Sequence, residues 1–391
     1  MIPSLRQPFN RAWTPEGYER FLALIRKNSG VATQFRHSET PCFLPTPLLE
    51  KMARYGCEIV QQLLADPAYL RDSTGAIPER YRFAHEANVP LFVQADFGLD
   101  ANLEPQLVEI QGFPSLYAYQ PVMAESYREA YGISRDLPAL LDGLTLDEYY
   151  GLLRRAIVGD HDPANVILLE IDPTHQKTLC DFLVTERLFG VRAVDVRALR
   201  REGNRLWYDR DGQPTPVERI YNRVIVDELE RRAIELPFDC RDDLQVEWAG
   251  HPNWFFRLSK FSLPYLHHPA VPRAQFLDRV ERVDHPERYV LKPLYSFAGL
   301  GVLVGPTREE IDAVPAVQRS QYLLQERVDF TPVIETPAGK AKIEVRIMYI
   351  WLDDHMRAVN TIVRMGRGSQ MGVDHNKGFE WVGGSAGFLA S

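Results

Sequence analysis

No apolar run is long enough to cross a bilayer: the longest stretches, such as 166–169, fall far short of the ~18 residues a spanning helix needs. The start, MIPSLRQPFNRAW, has no charged beginning, apolar centre or small-residue cleavage site, so no secretory leader is expected. Cysteine is scarce. Cys42, Cys57, Cys180 and Cys240 are widely spaced without a CxxC pair, which reads as free thiols in a reducing cytoplasm. Positive charge is not in excess: 45 Lys and Arg against 53 Asp and Glu leave a net charge of -8. That balance argues against nucleic acid or an anionic membrane as the main partner and leaves room for a local basic pocket. No internal repeat or low-complexity tract occurs, which excludes solenoids and disordered arms. GxSxG, HExxH and GxxxxGK[ST] are also missing, which removes serine hydrolases, zincins and P-loop enzymes.

What is present is ordinary globular composition, 45% hydrophobic and 25% charged, over 391 residues. At roughly 100–200 residues per domain that length suits two to four domains. Residues 15–30 read as a helix closed by Gly30, and 46–68 as a second helix started by Thr46-Pro47 and interrupted around Gly56. Strand-like runs at 91–97 and 105–111, separated by a turn-rich GLDANLE, suggest an antiparallel pair. Residues 135–160 look helical. Strands at 165–171 and 191–196 flank a helix at 174–188, a βαβ unit that implies a parallel sheet. A hairpin-like segment spans 206–226, and a Pro- and Trp-rich patch at 251–256 suggests a domain boundary. Beyond 257, a strand carrying Lys292, a Gly-rich turn, a strand at 321–327 and a long hairpin at 342–364 suggest an α+β nucleotide-binding domain.

The chemistry concentrates there. Lys292 sits in an apolar strand, where its ammonium must meet something acidic or remain a costly buried charge. The turn that follows carries Ser296, Ala298, Gly299 and Gly301, small enough for backbone N–H groups to close over phosphate oxygens. The same stretch also suits an ordinary glycine-containing hairpin. Gln325 and Glu326 end an apolar strand, with Asp329 close behind, and could meet an adenine edge and a ribose. In the strand from Lys342, Glu344 and Arg346 share one face and Ile343, Val345 and Ile347 the other. Arg364, Arg367, Asn376 and Gly383-Gly384 follow, and a line of arginines with no acidic run opposite suits polyphosphate. Asp374-His375 could supply an acid–base group, although a loop histidine is more often merely solvated. His267-His268 cannot share a face in an extended segment and read as surface residues, whereas Cys57 and Cys180 read as core thiols.

The order of these parts resembles the ATP-grasp superfamily: lysine strand, Gly loop, Gln-Glu hinge, acid-x-Arg strand, then Arg, Asn and Gly-Gly. Lys260, in RLSKFSLPYL, resembles the earlier ATP-contacting lysine, and Arg223, in RIYNR, the strand ahead of it. The resemblance covers about residues 217–384. Upstream, Asp96 and then Glu109 and Gln111 resemble the metal-binding strands of the circularly permuted branch typified by glutathionylspermidine synthase. Gln111 stands where that pattern has asparagine, and Gln94 where it has arginine. Three oxygen-bearing side chains on one face also suit Mg²⁺ bridging ATP phosphates.

The resemblance implies an α+β/α/β, circularly permuted ATP-grasp fold in three parts. Residues 1–150 would hold a helical region and the metal strands, 151–250 a βαβ pre-ATP-grasp-like domain, and 251–391 the ATP-binding part. It implies an ADP-forming carboxylate–amine ligase working through an acyl phosphate, with small-molecule carboxylate and amine substrates and ATP and Mg²⁺ as cofactors. Lys260 and Lys292 would hold the α/β-phosphates, with Ser296, Gly299, Gly301 and Asn376 around the nucleotide. Gln325, Glu326 and Asp329 would frame adenine and ribose. Asp96, Glu109 and Gln111 would hold magnesium, and Arg346 and Arg364 would stabilise the transferring phosphoryl group. The alternative is a catalytically silent ATP-binding protein or scaffold on the same fold.

Overall fold

Local chemistry sets the first long helix, Pro15–Ser29. Thr14 accepts the Gly17 N–H at 3.1 Å, Pro15 opens the first turn, and Gly30 closes the last at φ +85°. The computed structural model describes the whole chain except residues 297–298, 369–370, 372–375 and 377. Ala298 and the Asp374-His375 pair therefore lie outside the described residues. The fold is mixed α/β, with helices packed on several sheets.

The second long helix, Thr46–Ala65, is not interrupted at Gly56. A side chain there would put a Cβ 2.0 Å from the Tyr349 hydroxyl, which itself reaches the Ala53 carbonyl at 3.0 Å. Glycine in this helix therefore marks a close approach to a sheet. Two other helices are shorter than their polarity suggests. Only Leu146–Val158 of the 135–160 stretch is helical, begun by a Thr145/Glu148 capping box. The 174–188 stretch starts with a 3₁₀ turn at Pro173–His175 and becomes α-helical only from Leu179 to Phe189.

The central antiparallel sheet joins distant parts of the chain, in the order Gly383–Ser385, His355–Gly366, Gly339–Leu352, Phe92–Leu99, Pro105–Gln111. Its register sets Arg346 opposite Asp96, Glu344 opposite Arg364, and Asp96 opposite Glu109. A four-stranded parallel sheet runs Glu247–Ala249, Arg219–Asn222, Val166–Glu170, Arg192–Asp195. The hairpin expected over 206–226 ends at Val217, after an Asp211-Gly212 turn with both residues at positive φ. Arg219–Asn222 then leaves it to pair in parallel with Val166–Glu170. A smaller antiparallel sheet runs Ala274–Phe276, Tyr322–Glu326, Tyr289–Pro293, Leu303–Val304. The 251–256 patch is buried, with Trp254 in the cluster beneath the central sheet.

Among the described residues, no helix is long and apolar enough to cross a membrane. All four cysteines are free; Cys42, Cys180 and Cys240 are buried, and Cys57 is half-buried. His268 meets Glu58 at 3.0 Å on the surface.

Candidate functional site

Alternation along the central strands turns Gln94 and Asp96, Glu109 and Gln111, and Glu344 and Arg346 toward one face, where Arg364 joins them. Arg346 grips Asp96 with two nitrogens, Nη2 reaching Oδ2 at 2.7 Å, and Nη1 donates to Gln94 Oε1 at 2.9 Å. Arg364 Nη2 also donates to Asp96 Oδ2 and lies 2.7 Å from a Glu344 oxygen. Gln94 donates to the Ser115 carbonyl at 2.8 Å and accepts from Gln111 Nε2 at 2.8 Å. Asp96, Gln94 and Glu344 are buried. The arginines thus do meet acids. Against the expected line of arginines with no acids opposite, Asp96 from Phe92–Leu99 meets both Arg346 and Arg364, and Glu344 from Gly339–Leu352 meets Arg364.

These contacts set the charge states. Burial works to raise the Asp96 carboxyl, but Arg346 and Arg364 outweigh it and bring it to about 2. Burial raises the Glu344 carboxyl above its usual value; Arg364 opposes this and Asp96 adds to it. For Arg364, burial pulls the pKa down, and Asp96 and Glu344 more than reverse that.

The small sheet supplies the second wall. Lys292 Nζ donates to the Val108 carbonyl at 3.0 Å and to Gln325 Oε1 at 2.6 Å. Burial brings the Lys292 ammonium down to about 8, against the pull of Glu109. Gln325 Nε2 reaches the Leu107 carbonyl at 3.5 Å, so Lys292 and Gln325 tie the small sheet to the edge strand of the central one. Lys260, from the turn before the small sheet, donates to the Ser296 carbonyl at 2.6 Å and faces Glu109 at 3.5 Å. Glu109, Gln111, Phe113, Lys260, Tyr295 and Ser296 line a cleft between the walls. Behind it Arg223 lies over Phe113 and pairs with Asp181 at 3.6 Å.

Of the expected site residues Glu109, Gln111, Lys260 and Ser296 thus line the cleft, and Asp96, Lys292, Gln325, Arg346 and Arg364 form the buried polar network beside it. Others expected there stand elsewhere. Glu326 and Asp329 are exposed, and Asp329 pairs with Arg327 at 2.6 Å. Asn376 ties the end of a strand, accepting from the N–H groups of Arg367 and Gly368 at 2.9 and 3.0 Å. Arg367 donates to the Glu380 and Gly339 backbone carbonyls and to the Thr336 hydroxyl. Gly299 and Gly301 are exposed with positive φ, and a Cβ on Gly301 would come within 2.9 Å of Pro293. Sequence reasoning did not place Gln94 in the network, nor Phe113, Phe255 and Tyr295 in the cleft. An amide where the resembling pattern has arginine was the one available signal for Gln94.

No protein-family model matches this chain, and no curated protein matches it. A solved structure does: the apo form of a glutathione synthetase-like effector from Globodera pallida, at 11% sequence identity, 96% of each chain covered and a TM-score of 0.60. At that identity the likeness shows a shared fold.

Proposed function

We propose that this chain is an ATP-dependent carboxylate–amine ligase on an ATP-grasp fold in circularly permuted order. The observation that carries the reading is the central sheet. It brings Asp96 and Glu109, from early in the chain, beside Arg346 and Arg364, from its end, with Lys260 3.5 Å from Glu109 and Lys292 bonded to the neighbouring Val108 carbonyl. The likeness to a glutathione synthetase-like effector supports the ligase side of it.

In this reading Lys260 leaves Glu109, and Lys292 leaves Val108 and Gln325, for the phosphates of ATP. The substrate carboxylate attacks the γ-phosphorus, the bond to ADP breaks, and an acyl phosphate forms. The amine nitrogen then attacks the acyl carbon, phosphate departs, and the amine proton passes to solvent. The protein contributes position and positive charge. Magnesium does not fit the donors as they stand. Both Asp96 oxygens are taken by guanidiniums and Glu109 faces Lys260; Gln111 engages Gln94 and Phe113 through Nε2, so of the three expected ligands its amide oxygen alone has no cation beside it among the described residues.

That saturation favours a second reading, a nucleotide binder without turnover. ATP at a hundredfold above Kd should stabilise the fold by ~2.7 kcal/mol, and Lys292→Ala should lose that shift while staying folded. Unchanged ATP affinity in the variant removes Lys292 from the site. ADP release on adding a carboxylate and an amine selects the ligase; ATP bound without ADP release under any pair selects the silent binder. No stabilisation by ATP leaves only a scaffold.

A further inference from the structure

The cleft carries more positive charge than its acids answer. Among the described residues, Lys260, Lys292, Arg346 and Arg364 meet Asp96, Glu109 and Glu344. The seven act on one another: Lys292 feels Glu109, Lys260, Glu344 and Asp96, and Arg364 feels Asp96, Glu344 and Glu109. The acids are spent inward. Asp96 is held by two guanidiniums, Glu344 by Arg364, and Glu109 faces Lys260. The donors are not all spent: Arg364 Nε and Ser296 Oγ are enclosed without hydrogen-bond partners. Among the described residues, no three carboxylates, histidines or cysteines converge as a metal centre. A divalent cation would have to displace two guanidiniums from Asp96 and then sit beside them. An anion meets two donors without partners, Arg364 Nε and Ser296 Oγ, and draws Lys260 and Lys292 from a carboxylate and from neutral carbonyl and amide oxygens, leaving the Asp96 pairs intact.

We propose that the cleft is a metal-independent polyphosphate site, which holds a phosphate chain on Lys260, Lys292 and Arg364 with no divalent cation at Asp96, Glu109 or Gln111. The proposal rests on the reading above only for the anion's identity as a nucleotide. Glu109 is then a charge facing the ligand, not a ligand of a metal, and its neutralisation has the opposite consequence from the one a metal site predicts.

Calorimetric titration of the whole chain with ATP, in EDTA and in magnesium, and with tripolyphosphate in EDTA, tests this. ATP affinity in EDTA should lie within about threefold of that in magnesium, Glu109→Gln should bind as tightly or more so, and Lys260→Met should bind about tenfold more weakly. Glu109 is partly exposed, so its variant keeps the test sound if Lys260→Met fails to fold. ATP that binds only with magnesium, or that Glu109→Gln weakens more than threefold, overturns the proposal and leaves the nucleotide reading standing. Tripolyphosphate bound in EDTA with no affinity for ATP upholds the anion site and removes the nucleotide. Binding unaltered in a folded Lys260→Met, or no binding of either anion, overturns the proposal.

Discussion

Burying the Lys292 ammonium removes hydration that one carbonyl and one amide oxygen only partly replace, which is why its pKa falls to about 8. The unfolded chain keeps the proton up to the ordinary value of 10.5, so between about 8 and 10.5 it holds more protons than the folded chain. Stability contributed by this residue must therefore rise with pH across that window, by roughly 2–3 kcal/mol. Urea unfolding at pH 7.5 and 10 should show a rise in wild type that Lys292→Met lacks; matching slopes would mean the ammonium is not desolvated. Asp96 is shifted against its burial, because Arg346 and Arg364 outweigh desolvation and hold its carboxyl below the ordinary value. Asp96→Ala leaves two guanidiniums without their carboxylate and should cost ~3–5 kcal/mol in the same unfolding assay. Glu344→Gln should cost much less, because Arg364 retains Asp96.

At the scale of elements, the Thr46–Ala65 helix shows where reading a chain locally succeeds and where it stops. Thr46-Pro47 is a start signal that depends on neighbours in sequence, and it marks the true beginning. Gly56 looks like an interruption because glycine disfavours a helix interior, yet its cause is Tyr349, which packs against it from the middle of the central sheet. Gly56→Ala should accordingly destabilise the protein by ~1–3 kcal/mol despite its better helix propensity. Pairing it with Tyr349→Leu should cost less than the sum of the two single changes, since the clash is then removed. Thermal unfolding of the three variants measures this, and strict additivity would show that the helix does not seat there. The strands are legible for the same local reason: the runs at 91–97 and 105–111 and the long hairpin at 342–364 mark them, and alternation from Lys342 even sorts Glu344 and Arg346 onto one face. Alternation is blind to what lies opposite, so the pairing of both arginines with Asp96 could not be read.

For the whole molecule, the decisive fact is that Phe92–Leu99 sits between Gly339–Leu352 and Pro105–Gln111, so the central sheet cannot be completed from either end of the chain alone. The composition break near 251 suggests a division in sequence, but the sheet spans it, and so do Lys292 and Gln325 through their bonds to the carbonyls of 107 and 108. Only the order of motifs hinted at this closure, because strand partners hundreds of residues apart leave no local trace. A fragment of residues 251–391 would expose Ile343, Val345 and Ile347, together with the unpaired edge of their strand. Expressed alone it should therefore aggregate or remain unfolded by circular dichroism and amide exchange, and mixing it with residues 1–250 during refolding should restore protection in 339–352. A 251–391 fragment that folds cooperatively by itself would mean the small sheet and the long hairpin carry their own core. In that case the pairing of Asp96 with Arg346 would be a docking contact between two bodies. Its absence would confine stability and ligand binding to one cooperative unit, in which any change that loosens Asp96 must also loosen the cleft.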